Sequence, residues 1–215
     1  MATFDLASAE AELARRHPPL AALILGCGPC TLASRRGTIE SHFEAIASSI
    51  VYQQLAGAAA GAIWGRVRAL VDGDFTADAV LALESLQPGS LRSAGLSGAK
   101  ARALADLSER VATGALDLGE LDTLGDEEVV TRLSQVRGVG RWTAQMFLIF
   151  RLGRLDVWPT GDLGVRRGLA VMDGLAEVPL VVAMEALGER FRPWRSVVSW
   201  YCWRALEVAD LPTGR

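Results

Sequence analysis

Cysteine, histidine and lysine are scarce in this 215-residue chain, which has three cysteines, two histidines and the single lysine Lys100. Cys27 and Cys30 form a C-x-x-C within LGCGPCTL, which reads as a redox pair or as half a metal site. A zinc or iron–sulfur site usually takes four ligands, and only Cys202 and two histidines remain to complete one. The pair is therefore read as turn and core residues, in a chain whose few cysteines suit a reducing compartment. No run of about 18 uninterrupted apolar residues occurs, so no membrane span is expected. The opening MATFDLASAEAELARR mixes acids with apolar residues at helical spacing, unlike the basic start and solid apolar core of a signal peptide. A cytoplasmic protein is the expectation. Segments of β-branched residues alternating with polar ones are also missing, which points to an all-α chain. A net charge of -3 excludes a protein that is basic all over.

Half of the residues are hydrophobic, enough for a compact domain or two small lobes sharing a core. Helices are expected over about 6–16, then in ESHFEAIASSIVYQQL and AGAAAGAIWGRVRALV, with a short apolar stretch at 20–25 between. Thr76 reads as the cap of DAVLALESL, Pro88 as the start of another helix, and Asp126 as the cap of EEVVTRLSQV. SGAKARALADLSERVATG is amphipathic, with Ala101, Leu104, Leu107 and Val111 expected inward. RWTAQMFLIFRL should close at Gly153, and helices from about Asp162, Val178 and Trp194 complete the chain. Charge is segregated. Between residues 132 and 168 stand Arg132, Arg137, Arg141, Arg151, Arg154, Arg166 and Arg167 against only Asp156 and Asp162. Such a stretch is either a solvated arginine face or the footprint of an anionic partner.

The motif inside that stretch bears on the choice. In LSQVRGVGRWTA a helix ends, a tight G-V-G turn follows, and a second helix starts at once. Glycine at 138 and 140 lets bare backbone approach a ligand and tolerates positive φ. The free N–H groups and dipole of the new helix form an anion site suited to a phosphate. Such a hairpin grips nucleic-acid backbone without reading sequence. Alone, it could equally be a plain helix–helix turn.

Leu133–Ala144, followed by the loop Asp156-Val157-Trp158-Pro159-Thr160-Gly161-Asp162, resembles the helix-hairpin-helix DNA glycosylase superfamily, which carries a Gly/Pro-rich loop and a catalytic aspartate. Three further stretches are similar to its alkylation-repair branch, the bacterial 3-methyladenine DNA glycosylase II type. They are Ile50–Leu55, Ala94-Gly95-Leu96-Ser97 leading to Lys100, and Pro193-Trp194-Arg195-Ser196. The motifs run in the family's order over about residues 18–205. The resemblance implies an all-α, two-lobed helix-hairpin-helix glycosylase fold without the extra N-terminal β domain of some members. One lobe is expected over 38–154 and the other over 1–37 plus 155–215, with the active-site cleft between them.

The resemblance also implies roles. Asp162 would be the catalytic carboxylate that stabilises positive charge growing on the deoxyribose, or that orients the attacking water. It can at the same time cap the helix beginning LGVRR. Asp156 is expected to anchor the loop. Gly138, Gly140, Arg141 and Thr143 would form the DNA-binding hairpin. Gln54 and Leu55 would wedge into the gap left by a flipped base, although Leu55 could also face the core. Trp142, Trp194, Met146 and Leu163 would line the base pocket, Trp142 offering its face to a cationic methylated purine or else locking the hairpin as a core residue. Met146 and Leu163 stand where the bacterial pattern has tyrosines, so a less aromatic pocket is expected. No cofactor is required, but a structural Na+ or K+ on the carbonyls of Ser134, Val136 and Val139 is implied.

Bifunctional members place a Schiff-base lysine where this chain has Trp142, so a lyase nucleophile is missing. The implied activity is monofunctional removal of alkylated purines (the 3-methyladenine and 7-methylguanine type) from double-stranded DNA, by a monomer without nucleotide cofactor. Two alternatives are an endonuclease III-like glycosylase/lyase and a non-catalytic hairpin module binding damaged or branched DNA.

Overall fold

The computed structural model describes residues 6–32, 41–55 and 57–209, and its described residues form helices and turns with no β-strand. The helices are α1 (Leu6–Arg16), α2 (Pro18–Cys27), α3 (His42–Tyr52), α4 (Gly57–Arg68), α5 (Ala77–Leu86), α6 (Ser90–Ser93) and α7 (Gly98–Ala112). They continue with α8 (Asp126–Leu133), α9 (Arg141–Phe147), α10 (Leu163–Asp173), α11 (Val181–Gly188) and α12 (Arg195–Ala209). The all-helical expectation is met. The chain divides into two compact units, Met1–Arg36 with Gly153–Arg215, and Gly37–Leu152. The lobe boundary expected near 37–38 lies outside the described residues.

Local chemistry accounts for several helix starts. Ser41, Thr76 and Ser97 each accept the backbone N–H three residues on, from Glu44, Ala79 and Lys100, filling a donor that the first turn leaves over. Pro18 and Pro19 end α1 and also open α2, because proline's fixed φ suits the first helical turn. The stretch at 20–25 is accordingly helical. Gly125, not Asp126, is the N-cap of α8; Asp126, Glu127 and Glu128 fill its first turn instead, where the helix dipole favours acids. On α7 the buried face is Ala103, Leu104, Leu107 and Ser108, while Ala101 and Val111 are only half-buried. After Phe147 the backbone widens into a π-turn over Leu148–Leu152 before Gly153 reverses it at φ 64°.

In the first unit, α10 and α12 pack against one another, and α2 packs on α1, α10 and α12. Leu13, Leu20, Val165, Leu169, Phe191, Val197 and Val198 fill the core. A Cβ at Gly168 would overlap the backbone carbonyl of Cys202, so α10 and α12 can approach this closely only because residue 168 has no side chain. Glu10 is buried and accepts hydrogen bonds from the Cys30 N–H and the Tyr201 hydroxyl. Burial pushes the Cys30 thiol up to about 12, so it stays a thiol and is a poor nucleophile or metal ligand. Cys30 thus serves the core, and Cys27 stands half-buried at the end of α2. Among the described residues no group of three or more His, Cys, Asp and Glu side chains could hold a metal ion. No described helix is long and apolar enough to cross a membrane.

In the second unit, α3 packs on α4, α7 and α9, and α8 pairs with α9 across the glycine turn. Phe43, Ile46, Ile50, Leu104, Leu107, Leu133 and Phe147 form its core. The N-terminus of α3 is tied to the rest by His42, which pairs with Asp122 at 2.8 Å and accepts from Arg151 Nε at 3.0 Å.

Candidate active site

In the first unit, the loop from Asp156 to Asp162 is held at both ends. Asp156 takes Arg195 Nε at 2.8 Å and Arg192 Nη1 at 2.6 Å, so it anchors the loop as its sequence position suggested. Ser196 accepts from the Val157 N–H at 2.9 Å and donates to the Arg154 carbonyl at 2.7 Å. The Pro-Trp-Arg-Ser stretch is therefore the clamp of this loop. Trp158 is buried and donates to the Met184 carbonyl at 2.7 Å, and the turn closes through Asp162 N–H to the Pro159 carbonyl at 2.9 Å.

The loop delivers Asp162 to the N-cap of α10. Its side chain accepts the Val165 N–H at 2.8 Å, and the residue is only 8% exposed. The same oxygen, Oδ1, accepts Trp203 Nε1–H from α12 at 3.1 Å. A carboxylate in this position can meet growing positive charge without first shedding a full hydration shell. Leu163, the next residue, is 49% exposed, and Trp194 is half-buried just before α12.

The hairpin lies in the second unit. Its turn is built by Gln135 N–H to the Arg132 carbonyl, Val136 N–H to the Leu133 carbonyl and Val139 N–H to the Val136 carbonyl. Gly138 has φ 73°, and a Cβ there would stand 3.3 Å from that of Ala103 on α7. Gly140 caps α9 in extended backbone with open space around it. Arg141 grips Glu127 through both terminal guanidinium nitrogens, an exposed ion pair. Thr143 is buried and its hydroxyl accepts from Gln53, so its side chain serves the hairpin from within. Trp142 is 39% exposed on the first turn of α9, while Met146 is buried on its inner face.

Two braces of this turn escaped the sequence reading. Gln53 Nε2 donates to the Gly138 carbonyl and to Thr143 Oγ1, both at 2.9 Å. Asp106 of α7 accepts the Arg137 N–H at 2.8 Å while holding Arg110 at 2.9 Å. Lys100 donates to the carbonyls of Val51 at 2.8 Å and Gln53 at 2.7 Å, acceptors that the end of α3 leaves over. Burial lowers its ammonium pKa from the ordinary lysine value. Beyond this cap come the exposed Gln54 and Leu55, with Gln54 at φ 56°, the one non-glycine residue in the left-handed region among those described. Backbone held there costs energy and is often found at functional sites. Of the carbonyls expected to hold a monovalent cation, those of Ser134, Val136 and Val139, the Val136 oxygen accepts the Val139 N–H within the turn; all three are neutral donors, with no carboxylate among them.

An all-helical chain with a glycine hairpin between α8 and α9, and a buried aspartate capping the next helix, defines the helix-hairpin-helix class of DNA repair folds. Residues 47–193 match the family described as "HhH-GPD superfamily base excision DNA repair protein", and the chain belongs to that family. DNA-3-methyladenine glycosylase 1 of Schizosaccharomyces pombe is 31% identical over 170 residues, covering 78% of this chain and 74% of the relative. A solved structure of the S. pombe 3-methyladenine DNA glycosylase in complex with abasic DNA superposes with a TM-score of 0.83 at 29% identity, over 94% of this chain and 98% of that one. A Bacillus halodurans DNA-3-methyladenine glycosidase gives 0.78 at 31% identity, over 98% and 94%.

Proposed function

We propose that this protein is a monofunctional DNA glycosylase that hydrolyses the N-glycosidic bond of alkylated purines flipped out of duplex DNA. The observation that carries the reading is Asp162, a buried N-cap carboxylate with one oxygen tied by two N–H donors, in a chain of the base excision repair family. The relatives' names support the substrate class.

In this reading the hairpin amides around Gly138, Gly140 and Arg141 take a DNA phosphate. Na+ or K+ on the carbonyls of Ser134, Val136 and Val139 would add positive charge beside it. Gln54 and Leu55 fill the gap left by the extruded base. Trp142, partly exposed on α9, offers its face to the purine. As the bond between C1′ and the base nitrogen breaks, the electron pair leaves with the base and positive charge grows on the sugar. The Asp162 carboxylate stabilises that charge. Water then adds at C1′ and gives up a proton to the carboxylate or to solvent, leaving free base and an abasic site. Lys100 is engaged with two carbonyls of the α3 terminus, which argues against a Schiff base.

The test is release of bases from methylated duplex DNA under single turnover. Asp162→Asn should keep fold and DNA binding and lower the rate on the order of 10²-fold or more. Strand breaks should need alkali, and borohydride should trap no adduct. A near-normal rate in Asp162→Asn, or a trapped adduct lost in Lys100→Ala, would overturn the reading.

A further inference from the structure

Trp203 is placed against Asp162 by two glycines on one face of α10. A Cβ at Gly164 would stand 2.9 Å from Trp203 Cδ1, 3.1 Å from its Nε1 and 3.0 Å from Asp162 Oδ1. Four residues on, Gly168 is filled in the same way by the backbone of Cys202. Residues 164 and 168 share a helix face, so together they form a bare trough into which α12 lays Cys202 and Trp203. The indole N–H thereby reaches Oδ1, which already holds the Val165 N–H. An N-capping carboxylate tied by one backbone amide can still turn about its last torsion. A second donor from another helix on the same oxygen removes that freedom.

We propose that Trp203 is the positioning residue for Asp162: its indole N–H, admitted by Gly164, fixes the carboxylate in the one rotation that meets charge developing at C1′. The proposal rests on Asp162 being the group that stabilises this charge. Electrostatic catalysis depends on groups that are oriented before the reaction starts, and a small misplacement at such a group is costly. A tryptophan retained only to fill the core would contribute its ring, and the direction of its N–H would not matter to the rate.

The experiment separates ring from N–H. Trp203→Phe keeps an aromatic ring and removes the donor, whereas Gly164→Ala keeps the donor and crowds it away. Each is measured for single-turnover release from methylated DNA at saturating enzyme, for affinity towards abasic-site DNA, and for thermal midpoint, with wild-type Asp162 and in the Asp162→Asn background. The loss of one hydrogen bond to a charged group predicts about a 10-fold lower saturating rate in both variants. DNA affinity should be unchanged, and neither variant should lose further rate once Asp162 is Asn. A wild-type saturating rate in Trp203→Phe overturns the proposal. So does the same fractional loss in both backgrounds, which would make the indole part of the fold alone. Should Trp203→Phe not fold, Gly164→Ala decides by the same two criteria. Asp162→Asn at full rate would sink the reading of Asp162 itself, whereas a slow Asp162→Asn beside a fast Trp203→Phe sinks only the role of Trp203.

Discussion

The two units hold their candidate functional groups by opposite means. In the first, the group is a side chain: Asp162 is buried and fixed by a backbone amide and an indole from the next helices. In the second, the group is backbone: the hairpin turn is fixed by side chains, Gln53 on its carbonyl and Asp106 on its amide. A carboxylate that meets a transient charge profits from low dielectric and a fixed orientation, so the fold buries it. Amides that take a phosphate must remain accessible, so the fold leaves the turn open and stiffens it from behind. Damage around Asp162 should therefore appear in stability or in chemistry, and damage to the backbone turn of the hairpin in binding.

The sharpest way to break this contrast is a pair of glycines. Gly168→Ala puts a methyl group into the Cys202 carbonyl, and overpacking between helices that cannot separate should cost about 3 kcal/mol or more. Gly140→Ala meets open space and should leave denaturation nearly unchanged. Equal midpoints for the two in urea would mean that α10 and α12 are less tightly apposed than described. A smaller effect is expected at Trp142, which is 39% exposed. Trp142→Ala should lose about 1–2 kcal/mol of transition-state stabilisation for a cationic methylated purine, and less for neutral hypoxanthine. Identical losses in single-turnover rate on both lesions would remove the cation–π argument.

Gln53→Ala deletes two hydrogen bonds that brace the hairpin, each worth about 1 kcal/mol. It should weaken damaged and undamaged DNA alike, several-fold by fluorescence anisotropy, with little change in the rate at saturation. A rate defect without a binding defect would move Gln53 out of the hairpin's support. The smallest effect belongs to Asp106. Burial alone would raise its carboxyl pKa, but the Arg137 N–H and the Arg110 guanidinium outweigh this and hold it below the ordinary aspartate value. A folded value below the unfolded one means stability that is fully present above about pH 4 and is lost as pH falls through the folded value. Asp106→Asn should thus cost about 0.5–1 kcal/mol at neutral pH and show a shallower loss in acid. Parallel stability curves for the two proteins below pH 4 would show that the carboxylate does not hold the turn.

What could be read from the chain alone was local in sequence. The caps at Thr76 and Asp162 reach an amide three residues away, so spacing and residue type suffice to find them. The glycine hairpin, the loop that ends in Asp162 and the segregated arginines are likewise contiguous stretches, and with the family resemblance they pointed to DNA repair. Even there the start of α8 was misplaced by one residue, because Gly125 and Asp126 are both acceptable caps, and the helix expected from Pro88 starts only at Ser90, behind Gly89. The supports of the site were not legible. Trp203 meets Asp162 across 41 residues, Asp106 meets the Arg137 amide across 31, and Gln53 meets the Gly138 carbonyl across 85. Gly164 and Gly168, four apart, announce that something approaches α10 closely, but not what. A hydrogen bond between distant residues leaves no periodicity in either segment, because its partners are set by how helices pack. Which side chains hold the carboxylate and the hairpin still was decided only when α12 settled into the trough of α10, and α3 and α7 closed behind the turn.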